Sequence, residues 1–203
     1  MQLFLKNKKI QIRLLWQNNS SIVLNLAASI LKALGWSLEV TVPDHPKCVI
    51  CIAPHTSNWD FIYCELACHS LNWTASFLMK ETWFFFPLNY FFKAIGGIPV
   101  PRKAKGADLT ETIIRRFKES NSLKIAITPE GTRKRVDKWR SGMLYIAHGA
   151  NVPILLAKLD YKHKHISLTD TYLPTGDIDT DIQFIKNYYK GVNAKYPEKF
   201  CTD

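Results

Sequence analysis

The apolar residues of this chain fall into short runs, and their length constrains the fold more than any other feature. Cys48 to Ala53, Ala75 to Met79, Leu123 to Thr128, Val152 to Leu159 and His165 to Thr171 are each five to eight residues long. That length suits a buried strand and is short for a helix. Trp36 to Val42 alternates apolar and polar residues, as a half-buried strand does. Between these runs lie segments of helical period. Ile22 to Leu34 places Ile22, Val23, Leu26, Ile30, Leu31 and Leu34 at helical spacing. Asn58 to Leu71 follows a turn at Pro54, and Trp139 to Gly149 and Asp179 to Lys195 read as further helices. Another is expected from Asp108 to about Ser120, with Asp108 and Glu111 spaced as a capping box. Strands alternating with helices predict an α/β fold: a mixed, mostly parallel central sheet flanked by helices, with an N-terminal amphipathic helix. The short turn between the last two strands predicts the antiparallel pair.

No repeat, low-complexity block or linker divides the 203 residues, so a single domain over 1–203 is expected. Within it, 1–35 reads as a basic, amphipathic membrane-docking segment and 36–203 as the catalytic α/β core. An apolar share of 47% and a charged share of 22% exclude a disordered or collagen-like chain. Twenty-seven Lys and Arg against seventeen Asp and Glu leave a net charge of +10, which favours anionic partners. No stretch reaches the roughly 18 apolar residues of a spanning helix, so the expectation is a protein that lies on a membrane rather than crossing one.

The first candidate site is His55 and Asp60, five positions apart. A histidine can take a proton from a hydroxyl while a carboxylate holds its other ring nitrogen. On one ideal helix the two side chains would point about 140° apart. A dyad therefore requires His55 in the turn before the helix and Asp60 in its first turns. Pro54 and the capping residues Thr56, Ser57 and Asn58 permit that arrangement. Taken alone the pair is weak: six His and ten Asp would give about 0.3 such pairs by chance. His165 and Asp170 repeat the spacing, but in a strand pattern that separates them by about 17 Å on opposite faces.

The second candidate is Glu130, Gly131, Thr132 and Arg133, at the end of an expected strand. Gly131 allows close backbone approach, while the Thr132 hydroxyl and Arg133 guanidinium suit a phosphate. Glu130 is suited to orienting a basic residue or accepting from a substrate hydroxyl. Lys134, Arg135, Lys138 and Arg140 extend a dense positive patch opposed only by Asp137. The third is the segment from Gly96 to Arg102, read as a loop fixed by paired glycines and two prolines that presents Arg102. The same charge pattern also describes ordinary solvated turns.

Of the five cysteines, Cys48-x2-Cys51 and Cys64-x3-Cys68-His69 look superficially like zinc ligands. Cys48 and Cys51 face opposite sides of a strand, however, and Cys64 and Cys68 sit among Leu66 and Ala67 at core spacing. No metal site is expected, and the odd cysteine count points to a reducing compartment. Trp83, Phe84, Phe85, Phe86, Tyr90, Phe91 and Phe92 form an aromatic cluster, read either as core or as an interfacial or acyl-chain-binding surface.

Taken in order, His55-x4-Asp60, Gly96 through Arg102, Glu130 through Arg133, and Val152-Pro153 resemble the four blocks of the glycerolipid acyltransferases, among them the lysophosphatidic acid acyltransferases. Pro99 and Leu156 depart from the usual blocks, at positions that bear on acceptor or acyl selectivity. The resemblance implies His55 and Asp60 as the catalytic pair, with His55 as general base. It implies Arg102, Glu130, Gly131, Thr132 and Arg133 as substrate-binding residues. The expected partners are a lysophospholipid acceptor, most simply 1-acyl-sn-glycerol 3-phosphate, an acyl-CoA or acyl carrier protein donor, and an anionic membrane surface. No cofactor beyond that donor is expected. The implied location is cytoplasmic, peripheral to the inner face of the cell membrane. Three alternatives remain open: another lysolipid acceptor, a non-catalytic lipid-binding protein, and a basic nucleic-acid-binding module. Intact His55, Asp60, Glu130 and Arg133 weigh against the second, and the absence of a nucleic-acid motif against the third.

Overall fold

The computed structural model describes residues 26–100 and 106–202. The chain order is helix α1 (26–33), β1 (Ser37–Val40), β2 (Lys47–Ala53), α2 (Asn58–Ser70), β3 (Ala75–Lys80), α3 (Leu88–Ala94) and β4 (Gly97–Val100). It continues with α4 (Gly106–Glu119), β5 (Leu123–Ile127), α5 (Gly142–Ala150), β6 (Ile154–Asp160), β7 (His165–Tyr172) and α6 (Ile178–Tyr188). The strands form one sheet in the order β1-β7-β6-β2-β5-β3-β4. Only β6 and β7, joined by a short turn, pair antiparallel, and every other pairing is parallel. The expected α/β fold with a mostly parallel sheet is therefore observed.

Helices cover both faces, which is why the central strands read as continuous apolar runs. In β2, Val49, Cys51 and Ala53 join one core with Ile113 and Phe117 of α4, Met143 and Leu144 of α5, and Ile185 of α6. Cys48, Ile50 and Ile52 point the other way, into a core with Leu31 of α1 and Ala67 of α2. The two strand cysteines thus pack on opposite faces, and all five are free thiols. Helix α1 closes on Gly35 (φ +79°), with Trp36 N–H donating to Leu31 C=O and Gly35 N–H to Lys32 C=O, a Schellman stop. Residues 22–25 of the expected first helix, like the rest of 1–25, lie outside the described residues.

Four expectations change. Gly97 to Val100 is not a loop but the edge strand β4, paired with β3 from Phe77 to Lys80. The glycines are required by close packing: a Cβ on Gly97 would lie 2.7 Å from Phe92 C=O, and one on Gly96 2.8 Å from Ala75 C=O. Pro99 is compatible with this strand because β4 is the sheet's edge. Asp108 lies inside the first turn of α4 instead of capping it. Helix α5 starts at Gly142, since 131–141 is irregular and Trp139 is buried there against Tyr189 and Phe200. Helix α6 stops at Tyr188, short of Lys195, shortly before Gly191 at φ +83°.

Because β2, β5, β6, β3 and β4 run parallel, their C-terminal ends share one rim. The turns that follow them carry the residues singled out above, as ligand sites in open α/β sheets generally do.

Candidate active site

The turn after β2 places His55 before α2 and Asp60 within it. Ser57 is the N-cap; its hydroxyl accepts from Trp59 N–H, and Asp60 occupies the third helical position. Asp60 Oδ2 accepts the backbone N–H of Thr56 at 2.6 Å and of Ser57 at 2.7 Å. His55 Nδ1 lies 3.5 Å from the same oxygen. The carboxylate thus closes the helix's capping box and faces the imidazole at once. Burial of Asp60 favours its protonated form. Hydrogen bonding with His55, Tyr161 and the two backbone donors outweighs it and holds the carboxyl below the ordinary carboxylate range. With Nδ1 turned to Asp60, Nε2 is the nitrogen of His55 left for a substrate proton.

The turn after β5 supplies Glu130. It is buried, and its Oε1 accepts His55 N–H at 2.9 Å, which ties the second motif to the backbone of the first. Its Oε2 is buried with no hydrogen-bond partner among the described residues. Burial pushes the Glu130 carboxyl up to about 7. Glu130 is therefore a buried post under the turn that carries His55, joined to its main chain. Gly131 adopts φ +63°, and the space above its Cα is occupied: a Cβ there would lie 2.7 Å from Arg140 Cδ and Nε. The close approach that Gly131 permits is made by Arg140, which also donates its backbone N–H to Pro129 C=O. Thr132 Oγ1 accepts from Lys134 N–H within its own turn, and Arg133 and Arg140 are exposed beside it. Arg135 is held by Asp137 and by Cys201 Sγ. Arg102 lies outside the described residues.

The structure therefore brings His55, Asp60 and Glu130 together and sets Gly131, Thr132 and Arg133 on the adjoining turn. It separates the second His–Asp pair, since His165 bonds Ser37 and Glu39 while Asp170 bonds Tyr188. Among the described residues no group of three His, Cys, Asp or Glu side chains is placed to hold a metal ion. Two contacts were not legible in the sequence. Tyr161, the first residue past β6, donates its hydroxyl to Asp60 Oδ1. Tyr196, near the C-terminus, donates its backbone N–H to Thr56 Oγ1. Tyr161 stands 101 positions from Asp60. Its only signal is its place at a strand's C-terminal end.

The aromatic cluster is largely solvent-facing. Phe86 is 80% exposed and Tyr90 68%, with Trp83, Phe85 and Phe91 all above half. Phe84 and Phe92 pack inward against each other and Gly97. The segment that carries Trp83, Phe85 and Phe86 leaves the C-terminal end of β3 and so starts at the site's rim.

A sequence model of the acyltransferase family matches residues 39–156, and that span holds His55, Asp60 and Glu130 to Arg133. No curated protein sequence matches the chain. Among solved structures, the fold resembles the crystal structure of the 1-acyl-sn-glycerophosphate (LPA) acyltransferase PlsC from Thermotoga maritima. That likeness has a TM-score of 0.58 at 18% identity and covers 87% of this chain and 80% of the other. The family match extends over more than half of the sequence and includes both turns of the site, so the chain belongs to the acyltransferase family.

Proposed function

We propose that the enzyme moves a fatty acyl group from a thioester, acyl-CoA or acyl carrier protein, to the free hydroxyl of a lysophospholipid, with 1-acyl-sn-glycerol 3-phosphate as first acceptor. The observation that carries this is the imidazole of His55 facing Asp60 at 3.5 Å, on a turn whose backbone N–H is fixed by Glu130, at a rim flanked by basic side chains. His55 Nε2 takes the hydroxyl proton as the oxygen attacks the thioester carbonyl. The tetrahedral intermediate collapses, the C–S bond breaks, and the imidazolium returns the proton to the thiolate. Asp60 stabilises the imidazolium, as the acid of a Ser-His-Asp triad does. Arg133 and Arg102 bind the acceptor phosphate, with Gly131 and Thr132 shaping the turn and Arg140 beside them. The solved enzyme of like fold is named for 1-acyl-sn-glycerophosphate, which supports this acceptor class.

The same reading places the enzyme on the inner face of the cell membrane. Exposed aromatics with neighbouring cations favour the lipid interface, and α1 with the turn that ends it presents Leu26, Ile30 and Leu34 as a second exposed apolar stripe. Among the described residues no helix is long and apolar enough to cross a membrane.

The test is acyl transfer from labelled acyl-CoA to lysophosphatidic acid, comparing wild type with His55→Ala. A loss of at least ~10²-fold is expected, the lower end for removal of a general base. Equal rates would remove His55 from the mechanism. If neither protein transfers acyl groups, acyl carrier protein donors and other lysolipids separate a different substrate from a lipid-binding role.

A further inference from the structure

Asp60 is anchored unevenly. Oδ2 receives two backbone N–H groups and faces His55, so on that side the carboxylate is fixed by its own turn. Oδ1 receives the hydroxyl of Tyr161, which reaches it from the end of β6. A carboxylate held at one oxygen can still rotate about its last bond; a donor on the second oxygen removes that freedom.

We propose that Tyr161 is a positioning residue for acyl transfer: its hydroxyl fixes the plane of the Asp60 carboxylate so that Oδ2 stays against His55 Nδ1. The inference rests on the assignment of His55 as general base.

Tyr161 is itself held firmly. Its ring packs edge-on against Trp36, with centroids 5.0 Å apart, and near Tyr63 at 6.0 Å. Its backbone N–H donates to Asn193 C=O, so the C-terminal segment fixes the main chain from which the ring projects. This makes a rigid path from the sheet's antiparallel side to the catalytic turn. The hydroxyl also takes part of the Asp60 charge, and that charge acts on the imidazole. The titratable groups around Asp60 are His55 on its own turn, Cys64 on α2, Glu130 after β5 and Tyr161 after β6, with Tyr63 beside Tyr161. Of these only Tyr161 donates to Oδ1. Without it the negative charge concentrates toward His55, favours the imidazolium, and moves the acid limb of the rate profile to higher pH.

Tyr161→Phe keeps the ring and its packing and removes only the hydroxyl, and Tyr161→Leu removes both. The experiment measures kcat, KM for each substrate and the pH profile of kcat/KM for both variants, with His55→Ala in parallel and thermal melting of all four proteins. Expected for Tyr161→Phe is a fall in kcat of about 10-fold, little change in either KM, and an acid limb displaced upward by about half a pH unit or more. Wild-type rates and limb in Tyr161→Phe, with His55→Ala inactive, would overturn the role of Tyr161 and leave the base assignment standing. A rate loss without a limb shift, matched by a lowered melting temperature, would reduce Tyr161 to packing and overturn it likewise. Activity in His55→Ala would overturn both.

Discussion

Glu130 is the residue where burial and chemistry meet most directly. Its ordinary pKa is near 4.3 in an unfolded chain, and burial raises it to about 7 in the folded one. Between those values the folded state holds a proton that the unfolded state has lost, so this group lowers stability as pH rises through the window. The penalty is absent below pH ~4 and complete above pH ~7. Glu130→Gln keeps an oxygen for His55 N–H and removes the ionisation. The expected outcome is a melting temperature above wild type at pH 8 and close to it at pH 5; equal differences at both pH values would refute a buried titrating carboxyl. At this scale the sequence was informative where local chemistry suffices. The turn before α2 needed a capping residue and a proline, and both were readable. Glu130 was singled out, but its partner is a backbone N–H 75 positions away, which no local pattern encodes. Gly131 suits close approach of a ligand, whereas in the fold Arg140 approaches it because the irregular stretch 131–141 doubles back.

Among the elements, strands buried on both faces were the easiest to read, since a continuous apolar run of this length has few other uses. Edge strand β4 reads as a loop because Gly97 and Pro99, with Gly96 and Pro101 beside them, are turn residues elsewhere. The close approach of Ala75 and Phe92 explains Gly96 and Gly97, and the edge position of β4 admits Pro99. The start of α5 is set by tertiary contacts, such as Trp139 Nε1 donating to Cys201 C=O at 2.9 Å, and lies beyond sequence periodicity. The segment between β3 and β4 was readable as aromatic but not as exposed. Its outward rings give a prediction of its own. Replacing Phe85, Phe86 and Phe91 together with Ser removes apolar surface of the order of 1.5 kcal/mol or more per ring if each is buried in lipid. Binding to vesicles of mixed zwitterionic and anionic lipid is expected to fall at least ~10²-fold in a sedimentation assay, with the melting temperature little changed because these rings are exposed. Unchanged binding would exclude the segment as a lipid contact.

For the molecule as a whole, the parallel strands gather dispersed segments at one rim, and the acid limit of stability is set partly far from it. Asp181 on α6 is fully buried and accepts Tyr172 Oη at 2.6 Å, Thr175 Oγ1 at 2.7 Å and the N–H groups of Thr175 and Gly176. Burial raises its proton affinity, but these donors prevail and hold the carboxyl below the ordinary range. The stability it contributes is present above pH ~4 and is lost as pH falls through the lowered value. Asp181→Asn is expected to destabilise the fold at pH 7, in urea titrations, by an amount that shrinks below pH ~4; a gap independent of pH would contradict this. Asp60 is subject to the same linkage, but with a second tie. It fastens the start of α2 whether or not any substrate is present. On the proposed mechanism two selective pressures act on that one carboxylate, and only one acts on the imidazole beside it. A descendant of this chain that gave up catalysis would be free to vary His55 and still obliged to keep Asp60.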